Sequence, residues 1–335
     1  MTPNLKPLNQ QVIVITGASS GIGLVTARSA ARRGAKVVLV ARNEPALVEA
    51  CAEITAAGGS ATYAVADVGE ASQVEAAATV AISRFGRIDT WVNDAGVAIY
   101  ARLADTPLDE HKKLFQTNYF GVVNGATTAL DYLRARGGAL ITIASIASDI
   151  PSPIMGAYSA SKHAVKGYIE SLRIEANADG LPVSITLIKP SGIDTPIARH
   201  AANHGDGEAQ IPPPVYDPQL VADAILFAAE TPRREITVGG VGRLQVLAGT
   251  HFPGLLAKFG GAMIPALFDK SRAKTRSDNL FGSSNAGEER SGQTRGRRFS
   301  SYTAAQLHPV AATMIGLGAA AALGLALLRP RTRQR

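Results

Sequence analysis

Tyr158 and Lys162 stand four residues apart in Tyr158-Ser159-Ala160-Ser161-Lys162, a spacing that places two side chains one turn apart on one helix face. A lysine ammonium beside a phenol favours the phenolate and draws its pKa toward working pH, as a proton donor or acceptor requires. By itself such a pair is an ordinary helix face. Its setting adds a third group: Ser145 lies thirteen residues upstream, just past the apolar run Ala139–Ala144. Strand ends in a doubly wound sheet face the ligand crevice, so a hydroxyl there can reach the same substrate oxygen.

A second constellation is Thr16-Gly17-Ala18-Ser19-Ser20-Gly21-Ile22-Gly23, directly after the apolar run Val12–Thr16. Gly17, Gly21 and Gly23 let the backbone turn tightly and approach a pyrophosphate, while a helix opening here offers unpaired N–H donors. Nineteen residues after Gly23, the second apolar run leads through Ala41 into Arg42. An acidic side chain at this point would hold the ribose 2′-hydroxyl of NAD. A guanidinium instead pairs with a 2′-phosphate, so NADP is expected ahead of NAD. A solvated surface arginine is the plainer alternative, and Glu44 keeps the ribose contact of NAD open.

These groups need a scaffold, and the chain supplies the pattern for one. Apolar runs at Val12–Thr16, Lys36–Val40, Thr62–Val65, Ile88–Asn93, Ala139–Ala144, Val183–Lys189 and Glu235–Val238 alternate with helix-length stretches such as Gly21–Arg33, Glu70–Phe85 and Asp109–Arg134. Mostly continuous rather than alternating runs suit strands covered on both faces. The expected fold is α/β: a Rossmann-type doubly wound parallel sheet of about seven strands with right-handed crossovers. Residues 1–10 form a polar leader before a domain over residues 11–240.

After Gly240 the pattern changes. Residues 241–270 read as a helical appendage, and residues 271–308, rich in Ser, Gly, Arg and Asn, as a flexible basic linker. Pro309–Leu328 is an uncharged stretch of twenty residues, followed by a basic tail over 329–335. That length matches a bilayer core, so a hydrophobic C-terminal helix anchoring the chain to a membrane is expected, with the folded domain in the cytoplasm; a soluble cytoplasmic protein is the alternative.

Together the motifs resemble the short-chain dehydrogenase/reductase family in its compact form. The resemblance rests on Thr16–Gly23, Asp67-Val68, Asn93-Asp94-Ala95-Gly96, Asn118, Ser145, Tyr158, Lys162 and Pro190–Thr195, in family order over about residues 10–240. It implies hydride transfer between a nicotinamide cofactor and a carbonyl or alcohol. It further implies Tyr158 as general acid/base and Ser145 as the group polarising the substrate oxygen. Lys162 would lower the phenol's pKa and bind the nicotinamide ribose, and Asn118 would hold a water linking Lys162 to solvent. On the cofactor side, the resemblance implies the glycine-rich loop (Gly17, Ser19, Ser20, Gly21, Ile22, Gly23) for the pyrophosphate and Asp67-Val68 for the adenine. Asn93, Ala95 and Gly96 would support the cofactor, and Pro190, Ile193 and Thr195 would meet the nicotinamide. Two positions depart from the family pattern. Asp94 replaces the usual amide, and Pro190-Ser191-Gly192 replaces the usual Pro-Gly.

Charge distribution narrows the partners. The net charge of +7 resides in the tail: from Asp269 onward twelve Lys/Arg face four Asp/Glu. The rest of the chain is close to neutral, which argues against a nucleic-acid partner. Single Cys51 cannot form an internal disulfide, and no Cys/His cluster has metal spacing, so no metal is expected. Of the histidines, His163 reads as structural and His111, His200 and His204 as solvated. Ile99, Tyr100, Ile150, Ile154 and Met155 flank the expected site, and with an anchor nearby the small-molecule substrate is expected to be lipophilic. A homo-oligomer is also expected. Two readings from other classes remain: a non-catalytic cofactor-binding scaffold, against which the intact Ser145, Tyr158, Lys162 and Asn118 set speaks, and a membrane-tethered interaction protein working through its linker.

Overall fold

The computed structural model describes residues 3–274, 278–283 and 287–314. Seven strands form one sheet: β1 Val12–Thr16, β2 Lys36–Ala41, β3 Ser60–Val65, β4 Thr90–Asn93, β5 Gly138–Ile143, β6 Val183–Pro190 and β7 Glu235–Val238. All pairings are parallel, in the spatial order β7-β6-β5-β4-β1-β2-β3. Strands β1, β4, β5 and β6 are buried along their whole length, which explains why they read as continuous apolar runs. The order reverses between β1 and β4, and ligands bind at such a switch point beyond the carboxyl ends of the strands.

Helices cover both faces. On one, α1 (Gly21–Arg32) packs against α7 (Pro218–Glu230) over a core containing Ile13, Ile15, Leu39, Ile141, Ile188 and Ile225. On the other, α3 (Ala71–Phe85), α5 (Gly121–Leu133) and α6 (Gly156–Ala178) bury Val14, Val38, Trp91, Leu140, Val165 and Ile169. Local signals set their ends. Asn43 caps α2 (Glu44–Ala56) by accepting from the Ala46 N–H at 3.0 Å, and Asp217 caps α7 through the Gln219 N–H at 2.9 Å. Between α4 (Leu108–Phe115) and α5 the helix widens into a π segment, Gln116–Phe120. Such bulges concentrate at functional sites.

Beyond β7 the chain forms α8 (Gly240–His251), α9 (Pro253–Phe259) and a 3-10 helix, Gly260–Leu267. The following stretch differs from the expected free linker. Leu280, Ser291 and Ser300 are buried, and α10 (Ser301–Leu307) packs on β7. Gln306 joins this contact by donating to the Thr237 carbonyl at 2.7 Å. Few apolar residues made the stretch read as flexible, but backbone groups and paired charges, which leave no periodic signature, fasten it. The leader is fastened as well: Leu8 is buried and Lys6 pairs with Asp89 at 3.0 Å. Of the apolar stretch Pro309–Leu328, the residues beyond Met314 lie outside the described residues, as does the tail. Among the described residues no helix is long and apolar enough to cross a membrane, so the expected hydrophobic helix has no support in the structure.

Candidate active site

The glycine-rich loop leaves β1 and enters α1 against the end of β4. Gly17 has φ +72°, and a Cβ there would lie 2.8 Å from the Ala95 backbone; only glycine fits this close approach. The Thr16 hydroxyl ties the two segments together, accepting from the N–H groups of Asp94 at 3.1 Å and Ala95 at 3.2 Å. Gly23 packs behind the loop, where a Cβ would meet the Gly17 carbonyl oxygen at 2.5 Å. Ser19, Ser20, Gly21 and Ile22 border a continuous cleft of about 570 Å³, which runs on past Arg42, Asp67 and Val68 on one side and Ala95 and Gly96 on the other.

Ser145, Tyr158 and Lys162 border the same cleft beyond β5. Ser145 caps a short turn, accepting from the Ala147 N–H at 3.1 Å, and its hydroxyl hydrogen-bonds the Tyr158 phenol. Lys162 is buried on the next turn of α6; its Nζ donates to the Ile143 carbonyl at 2.8 Å and stands 5.7 Å from the Tyr158 ring centroid. Just before α6, Ile154 holds a left-handed backbone (φ +67°) and accepts from the Ala101 N–H at 2.8 Å. This strained conformation is rare outside glycine and clusters at active sites.

Electrostatics here are dominated by burial. It pushes the Tyr158 phenol up to about 12, against the Ser145 hydrogen bond, which lowers it, and with the Asp94 charge, which raises it. Burial pulls Lys162 down to about 8 although the Asp94 carboxylate opposes this. The direction at Tyr158 is opposite to the lowering expected from the lysine. Both groups lie in the cleft wall, and desolvation penalises each charged form. Asp94 completes the cluster: burial pushes its carboxyl up to about 7, with the Lys162 ammonium and the Gly23 N–H acting the other way.

Some expected residues stand behind the cleft wall. Asn118 lies in the π segment, fully buried; its amide accepts from the Val97 N–H at 2.8 Å and donates to the Val97 carbonyl at 2.9 Å and the Ser161 hydroxyl at 3.1 Å. It therefore fixes the strand that follows Gly96. Asn93 accepts from the Trp91 indole at 2.8 Å and donates toward Thr142 at 3.4 Å, linking β4 to β5. Pro190, Ile193 and Thr195 border the cleft at the end of β6. Asp67 is held by Lys113 at 2.9 Å and the Gly69 N–H at 2.9 Å. Burial opposes its ionisation, but those two partners hold its carboxyl below the usual range.

A model of the short chain dehydrogenase family matches residues 11–205. The chain belongs to the short-chain dehydrogenase family. It is 41% identical over 329 residues to the uncharacterized oxidoreductase YxnA of Bacillus subtilis (strain 168), covering 95% of this chain and 92% of that protein. Dehydrogenase/reductase SDR family member 7B of Danio rerio is 32% identical over 252 residues, covering 72% of this chain and 80% of that one. An alcohol dehydrogenase from the archaeon Thermococcus sibiricus, solved with 5-hydroxy-NADP, superposes with a TM-score of 0.60 at 27% identity, over 68% of this chain and 95% of that one. The chain is thus an oxidoreductase of this family with a Rossmann-like fold.

Sequence reasoning on this short-chain dehydrogenase missed three features. His200, expected in solvent, is buried and borders the cleft, and burial lowers its pKa. His204 pairs with Glu110 at 2.9 Å. Asn279 and Ser283, from the expected linker, border the cleft beside Arg42, whose guanidinium donates to the carbonyls of Asn279 and Leu280. No local pattern marked these residues, because each is placed by a contact distant in sequence.

Proposed function

We propose that this oxidoreductase interconverts a carbonyl and an alcohol with NADP, in preference to NAD, on a lipophilic small molecule. The observation that carries the reading is one cleft with Ser145, Tyr158 and Lys162 at one end and the glycine-rich loop and Arg42 at the other. A dinucleotide fits that cradle: Gly17 and Gly23 are positions a side chain would fill, and Ser20, Gly21 and Ile22 at the start of α1 border the cleft, where a helix N-terminus suits a pyrophosphate. When bound, its nicotinamide supplies or accepts the hydride. Ser145 and Tyr158 hold the substrate oxygen by their hydroxyls, and Tyr158 passes its proton to that oxygen as charge develops there. Lys162, whose Nζ stands 5.7 Å from the Tyr158 ring centroid, would favour the phenolate and meet the nicotinamide ribose, while Asn118 fixes the segment at Val97.

Arg42 supports NADP because it borders the cleft just past β2, where a guanidinium can pair with a 2′-phosphate once it exchanges the Asn279 and Leu280 carbonyls for that ligand, and the archaeal relative was solved with an NADP derivative. A lipophilic substrate is supported by the far end of the cleft, where Ile150, Met155, Ile211, Phe252, Leu255 and Met263 make an apolar wall. Phe252, Leu255, Phe259 and Leu244 on the appendage are also exposed to solvent, a surface suited to apolar molecules or a lipid face. Membrane association rests on the sequence of Pro309–Leu328. The test is a panel of ketones, aldehydes and alcohols with purified protein and either dinucleotide. Turnover confined to polar sugars, or to NAD, would remove the corresponding part of the reading.

A further inference from the structure

We infer that residues 278–283 and 287–297 form a strap that roofs the dinucleotide cleft and must open for the nucleotide to leave. The inference rests on the cofactor reading above. It begins from where the strap touches the body. One shore of the cleft is the glycine-rich loop and the end of β2; the other is the segment after β6. Each crossing of the strap is fastened to both. At the first, the Asn279 N–H donates to the His200 carbonyl at 2.9 Å, while the Asn279 carbonyl accepts from Arg42 on the opposite shore. At the second, the Gly287 N–H donates to the Ser19 carbonyl at 2.8 Å and the Gly21 N–H donates to the Glu288 carbonyl at 2.9 Å. There the Glu288 carboxylate also pairs with Arg199 across the cleft at 2.8 Å.

The strap is anchored beyond the crossings by buried acids. Asp194 accepts from the Ser291 N–H at 3.0 Å and its hydroxyl at 2.5 Å. Asp217, 4% exposed, receives the Arg290 fork at 2.9 and 3.1 Å, the bidentate geometry in which such pairs are strongest. Glu289 lies between Arg28 at 2.8 Å and Arg290 at 2.7 Å. These anchors hold the carboxyls of Asp217 and Glu289 below their ordinary range despite burial. Leu280 fills an apolar cluster with Val97, Ile99 and Leu114.

Of the strap, Asn279 and Ser283 border the cleft itself, while 287 and 288 join it through the Ser19 and Gly21 backbone. The strap therefore encloses the site and adds two polar side chains that would face the adenosine half of a dinucleotide. A ligand enclosed on this side leaves only when the fastenings break, so the strap acts mainly on the release rate.

The test uses the full chain. The double variant Glu289→Ala/Arg290→Ala removes the anchoring ion pairs without touching the glycine-rich loop, Arg42 or the catalytic groups. Release of NADPH, followed by nucleotide fluorescence in a displacement experiment, is expected to speed up by about ten-fold or more. In parallel, amide hydrogen exchange over 288–297 of the unaltered protein is expected to slow when NADP is added. Unchanged release together with unchanged exchange would overturn the strap while leaving the cofactor reading intact. Tighter NADPH binding by the double variant would also overturn it, by making the strap a competitor of the nucleotide. Failure of the unaltered protein to bind either dinucleotide would remove both. If the double variant does not fold, the exchange measurement alone decides.

Discussion

Gly17→Ala isolates the contact on which the site is built. The substitution has two costs. An L-residue at φ +72° loses about 1–2 kcal/mol in the left-handed region. A Cβ 2.8 Å from two Ala95 backbone atoms adds an overpacking cost of about 1–3 kcal/mol. Backbone cannot rotate aside, and the Thr16 hydroxyl pins this turn through Asp94 and Ala95. Gly58→Ala supplies the control: φ is +84°, but nothing lies within 4 Å of its Cβ. Its cost should be about 1 kcal/mol, since alanine also restricts the unfolded chain. With the same unfolded-chain offset of up to about 1 kcal/mol, the expected totals are about 1–4 kcal/mol for Gly17→Ala against about 1 kcal/mol for Gly58→Ala, a difference of about 1–3 kcal/mol from the Ala95 contact. Urea denaturation at constant pH measures both, and a dinucleotide titration should show affinity lost only in Gly17→Ala. Equal destabilisation by the two variants, with nucleotide binding retained in both, would refute the argument that the loop is seated against Ala95.

Tyr158→Phe should lower turnover by about a hundredfold to ten-thousandfold while dinucleotide affinity changes little; near-normal steady-state turnover would remove the phenol from the chemistry. Arg42→Asp should weaken NADP much more than NAD, because it places like charges together. The ratio of the two affinities is the readout, since Arg42 also holds the strap, and an equal loss for both would leave no 2′-phosphate contact. Asp94→Asn tests the buried carboxyl through pH. Its folded pKa of about 7 lies above the ordinary aspartate value of about 3.8, so its proton stabilises the fold fully below about pH 3.8, and that contribution is lost as pH rises through about 7. The variant should therefore gain on the unaltered protein in denaturation midpoints between pH 5 and pH 8; a pH-independent difference would contradict the assignment. The proposed membrane association predicts that full-length protein enters the membrane fraction of a cell lysate and that deleting 309–335 releases it; identical fractionation of both chains would remove the anchor.

The parallel sheet was legible because its strands are buried on both faces and separated by helix-length stretches, a pattern carried by consecutive residues. So was the nearness of the candidate residues: Tyr158 and Lys162 belong to one helix, and Ser145 lies two residues past the strand before it. The glycine-rich loop was legible for the same reason. Tertiary structure decided what depended on distant partners. It set the pKa directions in the Tyr158, Lys162 and Asp94 cluster: burial by the whole fold outweighs the opposing charge at Lys162 and Asp94, and at Tyr158 it outweighs the Ser145 hydrogen bond. It gave Asn118 its partners, since Val97 and Ser161 reach it from other segments. It buried His200 beside the cleft and brought a polar stretch from beyond residue 270 over the nucleotide loop, with acids at 194 and 217 as its anchors. Such a strap has no periodicity to read. Its stability comes from buried carboxylates meeting backbone N–H groups and guanidinium forks, contacts that exist only once the body has folded.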